Sequence, residues 1–315
     1  MHPSRSLGIA FALACLCILG VMPVLAGDRP QSYDGLTFTI YLTVWQLACA
    51  LPLTFGEFAR RGRRGTVAPA IPPGRRARTA LIAVATGAMF GLSTYMYVVA
   101  AGKAGPVSMA IALQAYPLFA IALEALFLGK RKTPLELAFT AAIIVALLYL
   151  TTNGTFSLSD VSWWSVYALS IPLLWAVAHL LLRSVLTTMA VTPNQVTVSR
   201  LLISGAFLLA VYTVFGQTGG LAAGLVDLNL HRAAFLLGLA YYAELILWFH
   251  AMRHIDVSLA SSITVPAPAL TMAIAVAVGG AAIQMHQVLA LAVIVVALYG
   301  LLWAGRRRPV ARVAA

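Results

Sequence analysis

Residues Ala101 to Gly129 read "AGKAGPVSMAIALQAYPLFAIALEALFLG", and residues Ala251 to Gly279 read "AMRHIDVSLASSITVPAPALTMAIAVAVG". When the two stretches are aligned without a gap, Val107-Ser108 falls on Val257-Ser258, and the same register continues into the next apolar run. The match holds through loop boundaries over about fifty residues, which is typical of an internal repeat. The chain therefore contains two related halves.

The composition indicates an integral membrane protein. The 315 residues are 61% hydrophobic and 10% charged, and the mean hydropathy is +0.92. The apolar runs are continuous and about 20 residues long, which predicts membrane-spanning helices and not the alternating strands of a barrel. We predict an all-α fold with ten spans, near residues 6–26, 36–58, 79–102, 105–128, 133–151, 162–184, 193–216, 231–252, 256–279 and 286–304.

The basic residues orient these spans. If both termini are cytoplasmic, the outer loops receive only Arg29, Lys103 and Arg232. The cytoplasmic loops and tail receive Arg60, Arg61, Arg63, Arg64, Arg75, Arg76, Arg78, Lys130, Arg131, Lys132, Arg183, Arg253, Arg306, Arg307, Arg308 and Arg312. This bias predicts a multi-pass protein of the cytoplasmic membrane. It also explains the net charge of +12 without a nucleic-acid partner.

The repeat unit holds five spans, so we divide the chain into residues 1–151, residues 152–305 and a basic cytoplasmic tail, 306–315. Because five is odd, the second unit enters the membrane upside down relative to the first. Inverted repeats are the architecture of transporters that work by alternating access, with a substrate site near the middle of the membrane.

The first span also resembles a secretory signal peptide, since "PVLA" precedes Gly27. Its removal would leave nine spans and break the symmetry of the two halves. We therefore expect the span to be retained.

Two segments resemble a known family. "LILWFHAMRHIDVSLASSITVPAPALTMAIAVAVGG" (Leu245 to Gly280) is similar to the eighth and ninth spans of the EamA-like family, in the drug/metabolite transporter superfamily. "LLWAVAHLLLR" (Leu173 to Arg183) resembles the Trp-Ala start of its sixth span. The resemblance implies transport of a metabolite, an amino acid or a drug, often outward. It also implies that spans one to four and six to nine surround the pathway, while spans five and ten are peripheral.

Glu244 lies in the middle of an otherwise apolar run, about 12 Å from the cytoplasmic end of span eight. An ionisable group at such depth usually faces a cavity or a partner. Arg200, on the same cytoplasmic half of span seven, is the candidate partner and aligns roughly with Gln46 in the first half. The alternatives are a protonated Glu244 bonded between helices and an Arg200 that extends to the cytoplasmic surface.

Aromatic and imidazole groups are further candidates for the pathway. His179 follows Trp175 by four residues, so both project from one helical face. His179 could bind substrate or could simply hydrogen-bond between helices. Tyr241 either lines the pathway or packs against a neighbouring helix.

Prolines interrupt spans four and nine. Pro117 lies in the first, and "TVPAP" (Thr264 to Pro268) lies in the second. Proline frees backbone carbonyls, which membranes tolerate beside a cavity or a neighbouring helix. We therefore place Thr264 and Pro266 beside the site, with Gln114 across the pseudo-symmetry; a packing kink is the alternative.

These patterns favour a secondary transporter, acting as an exporter of a small metabolite, amino acid or drug-like solute. No Gly-rich nucleotide-binding loop is present in the sequence, and no cofactor or metal is expected. The expected partners are the solute and membrane lipid, and a homodimer is one candidate assembly. The alternatives are a flippase for a lipid-linked substrate and an intramembrane enzyme, although His-Glu-x-x-His and Gly-x-Ser-x-Gly motifs are both missing.

Overall fold

The computed structural model describes residues 5–64, 73–128, 133–186, 193–255 and 257–306, and these residues form helices and turns without any strand. Among them, nine helical segments are long and apolar enough to cross a membrane, with Pro106–Phe127 counted as one segment, and Ala267–Val278 is a shorter apolar helix. The chain is therefore an all-helical, multi-pass membrane protein.

Within the described residues there are thirteen α-helices and one 3-10 turn, at Leu158–Asp160. In chain order they are α1 (Arg5–Gly27), α2 (Gly35–Arg64), α3 (Pro73–Lys103), α4 (Pro106–Leu113), α5 (Tyr116–Leu128), α6 (Pro134–Thr151), α7 (Trp163–Leu186), α8 (Pro193–Phe215), α9 (Gly220–Gly224), α10 (Leu228–His254), α11 (Val257–Thr264), α12 (Ala267–Gly279) and α13 (Met285–Arg306).

Two of the predicted spans are not continuous helices. The span predicted at 105–128 consists of α4 and α5, which meet at Gln114-Ala115, and the span predicted at 256–279 consists of α11 and α12, which meet at Val265-Pro266. Pro117 has no N–H to donate to the carbonyl of the residue four positions earlier. The amides of Gln114 and Ala115 instead bond three residues back, at 3.0 Å each. The C-terminal turn of α4 therefore changes to the tighter three-residue hydrogen-bonding pattern, and α4 ends before Pro117.

Several basic groups used to predict the orientation lie outside the described residues. These are Lys130, Arg131 and Lys132, and the tail from residue 307 onward. Helix α3 begins at Pro73, earlier than the predicted start at 79, so Arg75, Arg76 and Arg78 lie on its first turns.

The two predicted units share their core. Each of the four clusters of buried apolar side chains combines residues from 1–151 with residues from 152–305. In one of them, Ile143 and Leu150 of α6 pack with Ile294 and Leu298 of α13. The halves therefore fold as one helical assembly, although the chain repeats itself.

Glycines allow the halves to approach closely, as is usual where helices pack in membranes. A Cβ atom at Gly238 of α10 would lie 3.1 Å from the backbone nitrogen of Gln46 and 3.2 Å from the carbonyl oxygen of Leu42, both on α2. On the neighbouring pair, the Ser204 hydroxyl of α8 donates to the carbonyl of Gly87 on α3 at 2.7 Å. Backbone thus contacts backbone between α2 and α10.

Gly238→Ala is expected to destabilise the protein. Its methyl group would push against rigid α2 backbone, and overpacking of this kind costs about 1–3 kcal/mol. The measurement is the thermal midpoint of the purified protein in detergent. Gly102→Ala on α3 is the matched control, because its Cβ would meet nothing within 4 Å. Equal midpoints for the two variants would contradict the close approach of α2 and α10.

Candidate functional site

A cavity of about 540 Å³ lies between the helices, within the range typical of small-molecule sites. It is lined by residues of both halves and lies where the two interrupted helices break. Seven of the nine predicted site residues line it: Gln114, Trp175, His179, Arg200, Tyr241, Glu244 and Thr264.

Helix ends face this cavity. Leu113 and Thr264 are the last residues of α4 and α11, and Tyr116 and Pro268 belong to the first turns of α5 and α12; all four line the cavity. The carbonyl ends of two helices and the amide ends of two others therefore meet there. Such ends carry partial charges of opposite sign and can contact a polar solute.

Glu244 lines the cavity from the middle of α10. Its Oε1 atom accepts a long hydrogen bond of 3.7 Å from the thiol of Cys15, which is fully buried on α1. A thiol is a weak donor, and an ionised carboxylate can accept about four hydrogen bonds. Glu244 therefore keeps most of its hydrogen-bonding capacity for whatever occupies the cavity.

Arg200 is directed into the protein and does not extend to the end of the helical bundle. Its guanidinium carbon lies 4.5 Å from the centroid of the Phe90 ring, a cation–π geometry, and its Nε atom is buried without a hydrogen-bond partner. Arg200 and Glu244 are close enough to interact electrostatically. However, no hydrogen bond joins the side chain of Arg200 to that of Glu244.

His179 lies between two aromatic rings of the cavity wall. Its Nδ1 atom is 3.1 Å from the hydroxyl of Tyr116, and its ring centroid is 5.3 Å from that of Phe90 and 5.7 Å from that of Tyr116. The interhelical hydrogen bond predicted as an alternative is thus present, on a residue that also lines the cavity. No group of three His, Cys, Asp or Glu side chains in the described parts of the chain could hold a metal ion.

Three aromatic residues form a continuous wall. The indole Nε1 of Trp175 donates to Ser93 Oγ at 2.9 Å, its ring stacks near Tyr97 at 6.5 Å, and Tyr97 meets Tyr241 edge to face at 5.4 Å. The Tyr241 hydroxyl is buried without a hydrogen-bond partner. The wall therefore offers apolar surface and one unused donor.

The remaining two predicted residues are placed elsewhere. Gln46 is 4% exposed and lies against α10 at Gly238, outside the cavity lining. The close contact between α2 and α10 buries the face of α2 that carries it. Pro266 precedes the first residue of α12 and is not part of the lining either, whereas Val265 and Pro268 are.

Sequence reasoning missed Tyr97, Phe90, Tyr116 and Cys15. The first three line the cavity, and Cys15 contacts Glu244. They lie in runs of apolar residues, where nothing in the pattern separates an inward aromatic or thiol from one that packs against a neighbouring helix.

The end of the bundle opposite to the start of α1 is held together by hydrogen bonds between the halves. Tyr33 donates to Asp227 Oδ2 at 2.9 Å, Tyr41 donates to the carbonyl of Leu221 at 2.6 Å, and the Trp45 indole donates to His231 Nδ1 at 3.1 Å.

Asp227 also caps α10, because its Oδ1 atom accepts from the amides of Leu230 and Asn229. The bond from the Leu230 amide, followed by that from Tyr33, holds the pKa of Asp227 below its usual range. The residue is therefore ionised at neutral pH, as a helix N-cap favours.

Comparison with known proteins defines the fold alone. No family model matches the chain, and no curated protein matches it significantly. Among solved structures, 22 chains match, including one described as "Crystal structure of protein". That chain is 18% identical with a TM-score of 0.59, and the match covers 98% of this chain and 100% of that one. At this identity, a structural match carries no information about substrate.

Trp175→Phe tests the aromatic wall. The substitution keeps an aromatic ring but removes the donor to Ser93, so the protein should lose about 1 kcal/mol of stability. Ser93→Ala should cost a similar amount, and the double variant should be no worse than either single one. Thermal midpoints measure these effects. Trp163→Phe, on the same helix and 75% exposed, is the control; an additive loss in the double variant would contradict the hydrogen bond.

Proposed function

We propose that the chain is a secondary transporter that moves a small solute across the cytoplasmic membrane by alternating access. The observation that carries the proposal is the cavity in which Arg200 and Glu244 meet two interrupted helices. Charged groups at membrane depth mark substrate or ion pathways, and interrupted helices build the sites of many transporters. The substrate is a metabolite, an amino acid or a drug-like molecule.

The repeat arrangement is part of the proposal, and the helix contacts support it. In the proposed repeat, α1 corresponds to α7, α3 to α10 and α5 to α12. The packing of α1 on α10 should then have a counterpart in the packing of α7 on α3. The packing of α1 on α12 should likewise have a counterpart in the packing of α7 on α5. All four contacts are present. The helix breaks at Gln114-Ala115 and Val265-Pro266 also lie within one residue of each other in the register that aligns Val107 with Val257. Counting α4 with α5 and α11 with α12 as two interrupted spans gives ten spans, which we propose to be two inverted sets of five.

The positions of the cavity-lining residues along the helices suggest whether the structure is an inward-facing or an outward-facing state. The cavity extends from the helix breaks toward Glu136 near the start of α6 and toward Leu301 and Leu302 near the end of α13. With both termini cytoplasmic, these residues lie on the cytoplasmic side, and the bonded end is the outer side. The structure then corresponds to an inward-facing state, which a solute leaving the cell would enter first.

The resemblance to EamA-like drug/metabolite transporters supports the same proposal. The sequence has no nucleotide-binding loop, so we propose that an ion gradient or solute exchange supplies the energy and that the chain is not an enzyme. Glu244 is the candidate for coupling, because it can exchange a proton or bind a cationic group in the cavity.

Transport is tested with purified protein in liposomes loaded with a defined, isotope-labelled mixture of amino acids, nucleosides and sugars. We expect at least one solute to leave, chemically unchanged, faster than from protein-free liposomes. Mass spectrometry of the external solution measures both rate and identity. Release at the protein-free rate for every solute would contradict the proposal, and so would recovery of the solute only in altered form.

Glu244→Gln keeps the shape of the side chain but removes its charge and its titration. If Glu244 carries protons, the variant should lose transport driven by a pH gradient and keep solute exchange. If it binds a cationic group, both activities should fall and affinity should weaken about ten-fold or more. Glu57→Gln is the matched control, because Glu57 lies outside the cavity lining on α2. Flux equal to that of the wild type, both with and without the gradient, would remove Glu244 from the site.

The orientation is tested with single cysteines in a variant that lacks the native ones. Ser159→Cys, between α6 and α7, should react with an impermeant thiol reagent in intact cells, and Ala311→Cys in the tail should react only after lysis. Mass shift on a gel measures the labelling. Labelling of residue 311 in intact cells would overturn the proposed arrangement of ten spans.

A further inference from the structure

We propose that His231 is a proton-binding site that controls the opening of the bonded end of the bundle. The bonded end is the group formed by Tyr33 and Trp45 of the first half with Asp227 and His231 of the second. A neutral His231 keeps this end closed, and a protonated His231 releases it. The site is separate from Glu244, because His231 does not line the cavity. Its role in transport rests on the proposed function, whereas the protonation step does not.

The hydrogen bonds of His231 fix which ring nitrogen carries the proton. The indole Nε1 of Trp45 lies 3.1 Å from His231 Nδ1. An indole N–H can only donate, so Nδ1 must accept and carries no proton. The single N–H of the neutral ring is therefore on Nε2, which lies 3.2 Å from the carbonyl oxygen of Leu225 and can donate to it. Only the neutral ring satisfies both bonds.

A proton taken up from solvent at Nδ1 breaks the bond between the halves. The Trp45 N–H would then face a second N–H, at the 3.1 Å separation that now holds a hydrogen bond. Rotation of the ring does not restore an acceptor, because both nitrogens of an imidazolium are donors. Trp45 of α2 and His231 of α10 must therefore separate when the ring becomes charged.

Asp227 can receive the protonated ring. It precedes His231 by four residues, so the two side chains share one face of the first turn of α10, and they interact electrostatically. Oδ1 of Asp227 already accepts from the amides of Asn229 and Leu230, and Oδ2 accepts from Tyr33. An imidazolium that turns to Oδ2 competes with Tyr33, and the charge-assisted bond is the stronger one. Protonation thus exchanges two bonds between the halves for one within α10.

The groups that face the imidazole come from α2 and from the turn before α10. The ring of Tyr41 meets it edge to face at 5.1 Å and that of Trp45 at 5.9 Å. A tyrosine hydroxyl ordinarily ionises only at about pH 10, so Tyr41 adds no charge. The turn contributes the Leu225 carbonyl and the ionised Asp227. Arg232 is the next residue of α10, and adjacent positions of a helix do not face each other.

The position of His231 makes it accessible to protons. It is half-buried at the end of the bundle, in the first turn of α10. Histidine is the side chain that ordinarily changes its charge between about pH 5 and pH 8. Because the closed end binds only the neutral ring, closure is favoured at high pH and is lost as the pH falls. In the proposed transporter, acid on the outer side would favour the outward-facing state.

The test measures the separation of the halves at the bonded end. Spin labels are attached to Ser32→Cys and Val226→Cys, both at exposed positions, in purified full-length protein that lacks the native cysteines. Electron paramagnetic resonance in detergent measures the distance between the labels. A second, longer distance should appear as the pH is lowered from about 8 to about 5, and it should disappear when the pH is raised again. One unchanged distance at every pH would overturn the proposal.

Variants assign the change to His231. His231→Asn keeps an acceptor near the position of Nδ1 but cannot become an imidazolium, so the short distance should persist at low pH. Trp45→Phe keeps an aromatic ring but removes the donor, so the longer distance should already appear at about pH 8. His286→Asn, at the start of α13 at the same end of the bundle, is the matched control and should open with acid like the unsubstituted protein.

Asp227→Asn keeps a good N-cap but removes the charge that receives the imidazolium, so it should shift opening to lower pH. A single elution peak shows that each variant is folded. Acid-dependent opening of His231→Asn that matches the unsubstituted protein would assign the effect to another group and overturn the proposal. Closure of Trp45→Phe at high pH, equal to that of the unsubstituted protein, would contradict the role of the indole bond.

The outcomes separate this inference from the proposed function. Solute flux from the loaded liposomes without any change of the label distance with pH would refute the proton site and leave transport standing. Opening by acid that His231→Asn abolishes, without flux of any solute, would refute transport and leave the proton site standing.

Discussion

A carboxylate and a guanidinium lie inside an assembly that is otherwise apolar, and this pair constrains the rest of the structure. Neither Glu244 nor Arg200 can face hydrocarbon at that depth without a cost of a few kcal/mol or more. The helices around them must therefore leave a polar space and keep lipid out of it. The cavity between the halves meets this requirement, because every helix that lines it belongs to the shared assembly.

The interrupted helices follow from the same constraint. Between α4 and α5, and again between α11 and α12, the backbone leaves its regular hydrogen-bonding pattern within the depth of the membrane. Such irregular backbone is tolerated only where protein or a water-filled cavity can satisfy the freed groups. A polar cavity can satisfy the backbone groups that these breaks leave unbonded, and the breaks in turn bring helix ends to the charged side chains.

The long helices and the two buried charges were predictable, because apolar runs and an isolated Glu244 are visible in any single sequence. Which face of each helix points toward the cavity was not predictable. Spans that are apolar on all sides carry no periodicity to show which face is buried, so Gln46 was expected in the cavity and Tyr97 was not. The rotation of α2 is set instead by its contact with Gly238, almost two hundred residues away. Similarly, prolines predicted that spans four and nine would be perturbed, but backbone bonding at Gln114 and Ala115 decides where α4 ends.

The shared core limits how the proposed alternation can occur. Since each apolar cluster combines both halves, the halves cannot separate as rigid bodies without exposing buried surface from all four clusters. The end of the bundle opposite to the start of α1 is held differently, by individual hydrogen bonds such as those from Tyr33 to Asp227 and from Trp45 to His231. Each such bond contributes only about 1 kcal/mol net and can be replaced by water. In the proposed cycle, this end would therefore open by local rearrangement of α1, α2 and α10 around a persistent core, with the interrupted helices as the segments that can bend most easily.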